Sequence, residues 1–139
     1  MDIIEGLKGK NQNECYALLL ELEKISESSN ELYGYFDEFI KLTQSISPLV
    51  RTRGFRLACA QARWDNENKL DRDIDVLLDM LRNEKGTQVR QCITALSSVV
   101  KYKQGLKSKI IQSLEELDMQ GYKESMRELI RKDMDKLKD

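Results

Sequence analysis

Four arginines, Arg51, Arg53, Arg56 and Arg63, fall in one short stretch that contains no acidic residue. Arginine presents a planar fork of N–H donors that fits a carboxylate or a phosphate. Arg53 and Arg56 are three residues apart and Arg56 and Arg63 seven apart, so on a helix they can share a stripe. The alternative for these three is plain surface solvation or stacking salt bridges. Trp64 follows directly; it can stack on a base or a peptide, or close a core at a helix end. A second basic stretch, residues 85–112, holds Lys85, Arg90, Lys101, Lys103, Lys107 and Lys109 and again no acid. The candidate binding residues are therefore Arg51, Arg53, Arg56, Arg63, Trp64, Arg90, Lys101 and Lys103. Arg51 and Arg90 have a second reading, in which each bridges neighbouring helices through an acid on the preceding helix.

Other chemistry finds little support. The chain has no histidine, which removes the commonest general base and a major metal ligand. Cys15, Cys59 and Cys92 lack the paired spacing of a zinc site and are expected to be reduced, packed thiols. The glycines are scattered and form neither a phosphate loop nor a dinucleotide-binding fingerprint. Asp65-Asn66-Glu67-Asn68 lacks the central glycine and the terminal glutamate of a calcium loop and reads as a solvated turn. Asp65 and Asp73 fit turn and helix-start roles better than catalytic ones. No catalytic residue, metal or cofactor is expected, and the chain is not expected to be an enzyme.

These residues must be carried by helices. Proline occurs once, at Pro48, and good helix formers are abundant. The first ten residues show no clear period and are expected to fray. A first helix runs to about residue 26 with Cys15, Leu18, Leu19, Leu22 and Ile25 on one side, capped by Asn11 or Asn13. A second covers about 30–45 with Leu32, Phe36, Phe39, Ile40 and Leu42 buried. Ser47-Pro48 is a helix-start signal for a third, running to about Trp64 and burying Leu49, Val50, Leu57 and Ala58. A fourth spans about 69–82. A fifth, about 88–101, is capped by Thr87 after a turn in which Gly86 can adopt a left-handed conformation. A sixth begins near Leu106 and a seventh near Tyr122. The expected fold is all-α with about seven helices in one domain, residues 1–139. Residues 1–29 would form an N-terminal capping helix, and 30–64, 65–101 and 102–139 three helix pairs.

A faint repeat supports the pairing. Val50-Arg51 and Leu57 recur as Val89-Arg90 and Leu96 at a shift of 39 residues, and Phe39 and Leu42 recur as Leu78 and Leu81. A period near 40 residues on helical spacing is the signature of stacked helix pairs. Val-Arg early in the second helix, after Pro48 in one copy and Gly86-Thr87 in the other, resembles HEAT/armadillo-type repeats. Small residues at Ala58, Ala60, Ala95 and Ser97 add to the likeness by letting helices approach. The resemblance extends over about residues 30–137, is nearest to small bacterial HEAT-like proteins, and is more distant to the alkylation-repair DNA glycosylases. It implies a short right-handed α-α superhelix whose second helices line a concave binding surface.

The formal net charge is -1, but its sign alternates along the chain. Residues 11–50 carry 2 basic and 7 acidic side chains, and residues 65–84 carry 3 basic and 7 acidic ones. These acidic blocks alternate with the two all-basic stretches, so one basic and one acidic face are expected. Protein scaffolding by a non-catalytic module, with an unknown protein partner, is the leading expectation. Nucleic-acid binding through the basic face is the alternative. No segment has the length of apolar chain needed to cross a bilayer, and a cytoplasmic location is expected.

Overall fold

The computed structural model describes residues 2–139, and among these the chain is helical with no strand. Eight α-helices follow one another: α1 Ile3–Leu7, α2 Gln12–Ser28, α3 Phe36–Leu42, α4 Pro48–Ala60, α5 Lys69–Met80, α6 Gly86–Tyr102, α7 Lys107–Glu115 and α8 Glu124–Lys138. Short 3₁₀ turns at Tyr33–Tyr35, Ala62–Trp64, Leu81–Asn83 and Gln104–Leu106 begin or end several of them. Such turns tighten helix ends and satisfy backbone groups that would otherwise lack partners.

Local chemistry explains the starts. Asn11 accepts from the Glu14 amide at 3.0 Å and opens α2. Ser47 accepts from the Val50 amide and Pro48 takes the first helical position of α4. Two expectations need correction. Among the described residues of the first ten, where fraying was expected, Ile3–Leu7 form a helix: Asp2 caps α1, and Leu7 is fully buried in the main core. The eighth helix is this one. Gly86 is not left-handed; it is the first residue of α6, with Lys85 rather than Thr87 at the cap. Among the described residues Asn68, before α5, is the one with positive φ, at 56°.

The packing has a simple order. Helices α2, α4, α6 and α8 pack on one another in sequence, and α3, α5 and α7 do the same; α1 lies on α2. Each row is also linked by ion pairs. Glu23 of α2 meets Arg56 of α4 at 2.7 Å, and Arg90 of α6 meets Asp133 of α8 at 2.7 Å. In the other row Asp37 of α3 meets Arg72 of α5 at 2.5 Å, and Asp75 of α5 meets Lys109 of α7 at 2.9 Å.

One apolar core runs the length of the molecule, from Leu7 through Phe36, Phe39, Phe55, Leu70, Leu77 and Leu96 to Ile130 and Leu137. Val50 and Val89, the two copies of the repeat valine, are both buried in it. Leu49, expected inside, is instead 40% exposed. The tightest approach is between α3 and α4. A Cβ on Gly54 would lie 2.5 Å from the Phe39 carbonyl oxygen and 2.6 Å from Leu42 Cβ, so only glycine fits there.

Candidate functional site

The row α2–α4–α6 exposes a groove of about 480 Å³ between its helices. Glu23, Ser26 and Glu27 of α2 form one wall, and Arg56, Ala60 and Arg63 the middle. The other wall is Gln91, Thr94, Ala95, Ser98 and Tyr102 of α6. The α6 residues follow helical spacing and so face one way, opposite the core stripe Val89, Cys92, Ile93, Leu96 and Val99. Ala60 and Ala95 give the groove its depth, because longer side chains there would fill it. Ala58, by contrast, is fully buried in the core.

The candidate arginines fall into distinct roles. Arg51 grips Glu84 with Nε and Nη2 at 2.7 and 2.6 Å and donates through Nη1 to the Ser45 carbonyl at 2.9 Å. Glu84 lies at the end of the α5–α6 connection with its side chain 2% exposed. Its hydrogen bond to Arg51 raises the guanidinium pKa against the opposing cost of burial. Arg90 grips Asp133 in the same manner through Nε and Nη2. Both arginines therefore bridge helices, but to acids that follow them in the chain rather than to acids on the preceding helix.

Arg53 is buried. It donates to the Leu7 carbonyl at 2.8 Å and to Gln12 Oε1, pinning α1 and the start of α2 to α4. Arg56 holds Glu23 through Nε and Nη2 at 3.0 and 2.7 Å, donates to Gln91 Oε1 at 3.0 Å, and lies 5.9 Å from the centre of the Tyr16 ring. It spans the groove floor from α2 to α6. Burial pulls its pKa down, but Glu23 more than compensates and raises it.

Arg63 differs from all of these. It is exposed, and its guanidinium carbon lies 5.4 Å from the centre of the Trp64 ring and 5.7 Å from that of Tyr102. Nη1 donates to the Glu27 carbonyl at 2.6 Å. Trp64 is fixed in turn by donation from Nε1 to the Ser26 carbonyl at 2.8 Å. Lys101 Nζ lies 5.2 Å from the centre of the same Tyr102 ring. Among the described residues neither Arg63 nor Lys101 meets a carboxylate, whereas Arg51, Arg56, Arg72 and Arg90 all do.

Lys103 belongs to a different centre. Its Nζ meets Asp71 at 2.7 Å and Asp65 at 3.3 Å. Asp65, expected in a solvated turn, is buried. It accepts from the Tyr33 hydroxyl at 2.6 Å and from the Lys69 and Leu70 amides at 2.8 and 3.0 Å. Burial opposes its ionisation, but these donors and Lys103 outweigh it and hold the carboxyl below its usual range. Tyr33 is pushed up, first by burial and then by Asp65. The arrangement ties the start of α5 to the end of α6 and the turn before α3.

Arg53 and Lys103 are thus consumed inside the fold and do not join Arg63 and Lys101 on one basic surface. The aromatic residue that lines the groove is Tyr102, with Trp64 beside Arg63 and Tyr16 beside Arg56; Tyr102 and Tyr16 went unassigned among the candidates, as did Glu23, Gln91, Thr94 and Ser98. Their signal was present as an uncharged polar stripe on α6. All three cysteines are free and buried, and burial raises the thiol pKa of Cys59 and Cys92, which leaves both protonated at neutral pH. No group of acidic or cysteine side chains among the described residues is arranged to hold a metal ion, and no described helix is long and apolar enough to cross a membrane. Comparison with protein-family models, curated proteins and solved structures found no match to this chain.

Proposed function

We propose that this protein is a non-catalytic docking module of the HEAT/armadillo type, a short right-handed α-α superhelix that holds a partner protein in the α2–α4–α6 groove. The groove carries the proposal: a depression of about 480 Å³ lined by side chains of three successive helices of one row. The packing of α2, α4, α6 and α8 on one another, and of α3, α5 and α7 on one another, supports the repeat reading. This reading takes the chain as four helix pairs, with α1 and α2 as the first, in place of a cap and three pairs. The groove mixes an aromatic residue, uncharged hydrogen-bonding side chains and one open arginine, a composition suited to a protein surface.

A groove-filling substitution tests this. Thr94 is exposed on the α6 wall, so Thr94→Trp should leave the circular dichroism spectrum and melting temperature unchanged. A protein that co-purifies with the wild type from native cells should then be lost. Recovery of nucleic acid with the wild type, displaced by the same substitution, would replace the protein reading with the nucleic-acid one. Retention of the same protein by Thr94→Trp would remove the groove from its binding surface.

A further inference from the structure

We infer that the Arg63 end of this groove is a carboxylate-recognition site for an acidic segment of a partner protein; the inference rests on the docking reading above. Arg51, Arg56 and Arg90 each grip an internal carboxylate with the same edge of the guanidinium, the one formed by Nε and Nη2. That edge offers two parallel N–H donors matched to the two carboxylate oxygens. Arg63 is held differently. Its Nη1 is spent on the Glu27 carbonyl, which fixes the plane of the fork, and its Nε–Nη2 edge meets no acceptor among the described residues.

The surroundings pre-organise that edge. Trp64 and Tyr102 flank the guanidinium, and Trp64 is itself anchored to the Ser26 carbonyl. Aromatic faces hold the cation in place and limit its hydration, so less ordering and desolvation remains for a ligand to bear. Lys101 places a second positive charge against Tyr102. The chemistry fits one or two neighbouring Asp or Glu side chains.

The remaining charges select a peptide over a nucleic acid. Glu27 is exposed on the groove wall beside Arg63, and Glu23 lies farther along it, already neutralised by Arg56. A phosphate backbone carries a charge at every nucleotide, so along the groove it would have to pass Glu27 and would find no further open cation at Arg56, whereas a peptide can flank one or two acidic residues with neutral ones. A peptide can instead set its acidic residues on Arg63 and Lys101 and meet Ser98 and Thr94 with its backbone.

Fluorescence anisotropy with a fluorescein-labelled hexaglutamate peptide tests the inference on the full chain. Wild-type protein should bind it at low salt and bind it more weakly at high salt. Arg63→Glu should lower the affinity about tenfold or more, as expected for losing a charge-assisted fork. Arg63→Lys, which keeps the charge without the fork, should lose part of that. If Arg63→Glu lowers the melting temperature, Arg63→Gln, which keeps a donor for the Glu27 carbonyl, should still reduce binding. No binding of hexaglutamate by the wild type, or equal binding by Arg63→Glu and Arg63→Gln, would overturn the inference. So would displacement of the peptide by a single-stranded oligonucleotide at a lower concentration than by unlabelled hexaglutamate. If the peptide fails while Thr94→Trp still releases the co-purifying protein, the carboxylate site falls and the docking groove stands.

Discussion

Asp65 shows how one side chain can join three parts of a helical chain. Its carboxylate takes the Tyr33 hydroxyl, two amides at the start of α5 and the Lys103 ammonium, with no exposure of its own side chain. Removing it leaves a buried hydroxyl and two amides without their acceptor, while Lys103 keeps Asp71. Asp65→Ala should therefore destabilise the fold by about 3 kcal/mol at neutral pH, measured by chemical denaturation. The sign of the pH dependence follows from the lowered carboxyl pKa. Its contribution is complete above the unfolded value of about 4 and is lost as pH falls through the lower folded value. The stability gap between wild type and Asp65→Ala should be constant from neutrality to about pH 5 and close only in more acid solution. Little of this centre could be inferred from the sequence. Asp65-Asn66-Glu67-Asn68 has the composition of a solvated turn, and Tyr33 and Lys103 lie 32 and 38 residues away along the chain. A polar residue's burial is decided by the partners tertiary structure brings to it, and local composition does not encode them.

At the scale of the elements, the helices follow from local signals and their closeness does not. Ser47-Pro48 and Asn11 start helices where capping chemistry requires, and the apolar stripes of α2 and α6 were evident as helical periods, whereas α4 is buried on nearly every side, Thr52 and Arg53 included, with the expected Leu49 exposed. The short α1 escaped because five residues are too few to display a period; its burial depends on Arg53 reaching back to the Leu7 carbonyl. Gly54 likewise looked like an isolated glycine in a helix, where it is unfavourable, and its reason appears only when α3 crosses α4. Gly54→Ala should gain helix propensity yet lower stability by about 2 kcal/mol, because backbone and Leu42 must shift to admit the methyl group. A thermal melt that rises instead would show that α3 yields easily. The repeat arginines make the same point. Arg51 and Arg90 match in sequence and both bridge forward, yet Arg51 meets Glu84 in a connection and Arg90 meets Asp133 in a helix.

For the whole molecule, the alternation of acidic and basic stretches has a structural outlet. Acids of one helix meet bases of the next helix in the same row, as in Glu23–Arg56, Asp37–Arg72 and Asp75–Lys109. Such surface pairs add little stability singly, but they neutralise part of the charge that the sequence segregates. Arg63 and Lys101, which meet no carboxylate among the described residues, both lie against Tyr102 near one end of the groove. The candidate arginines were recognisable from their type, and their division into bridges, a buried anchor and an open fork required the positions of Glu84, Asp133, Glu23 and Leu7. The central claim is that the α2–α4–α6 face docks a protein. Site-specific photocrosslinking in living cells tests it most directly, with a benzophenone side chain at Ser98 in the groove and, in parallel, at Lys41 on α3 in the other row. The account predicts a discrete protein adduct from Ser98 and none of that mass from Lys41. The same adduct from both positions, or an adduct from Lys41 alone, would contradict it.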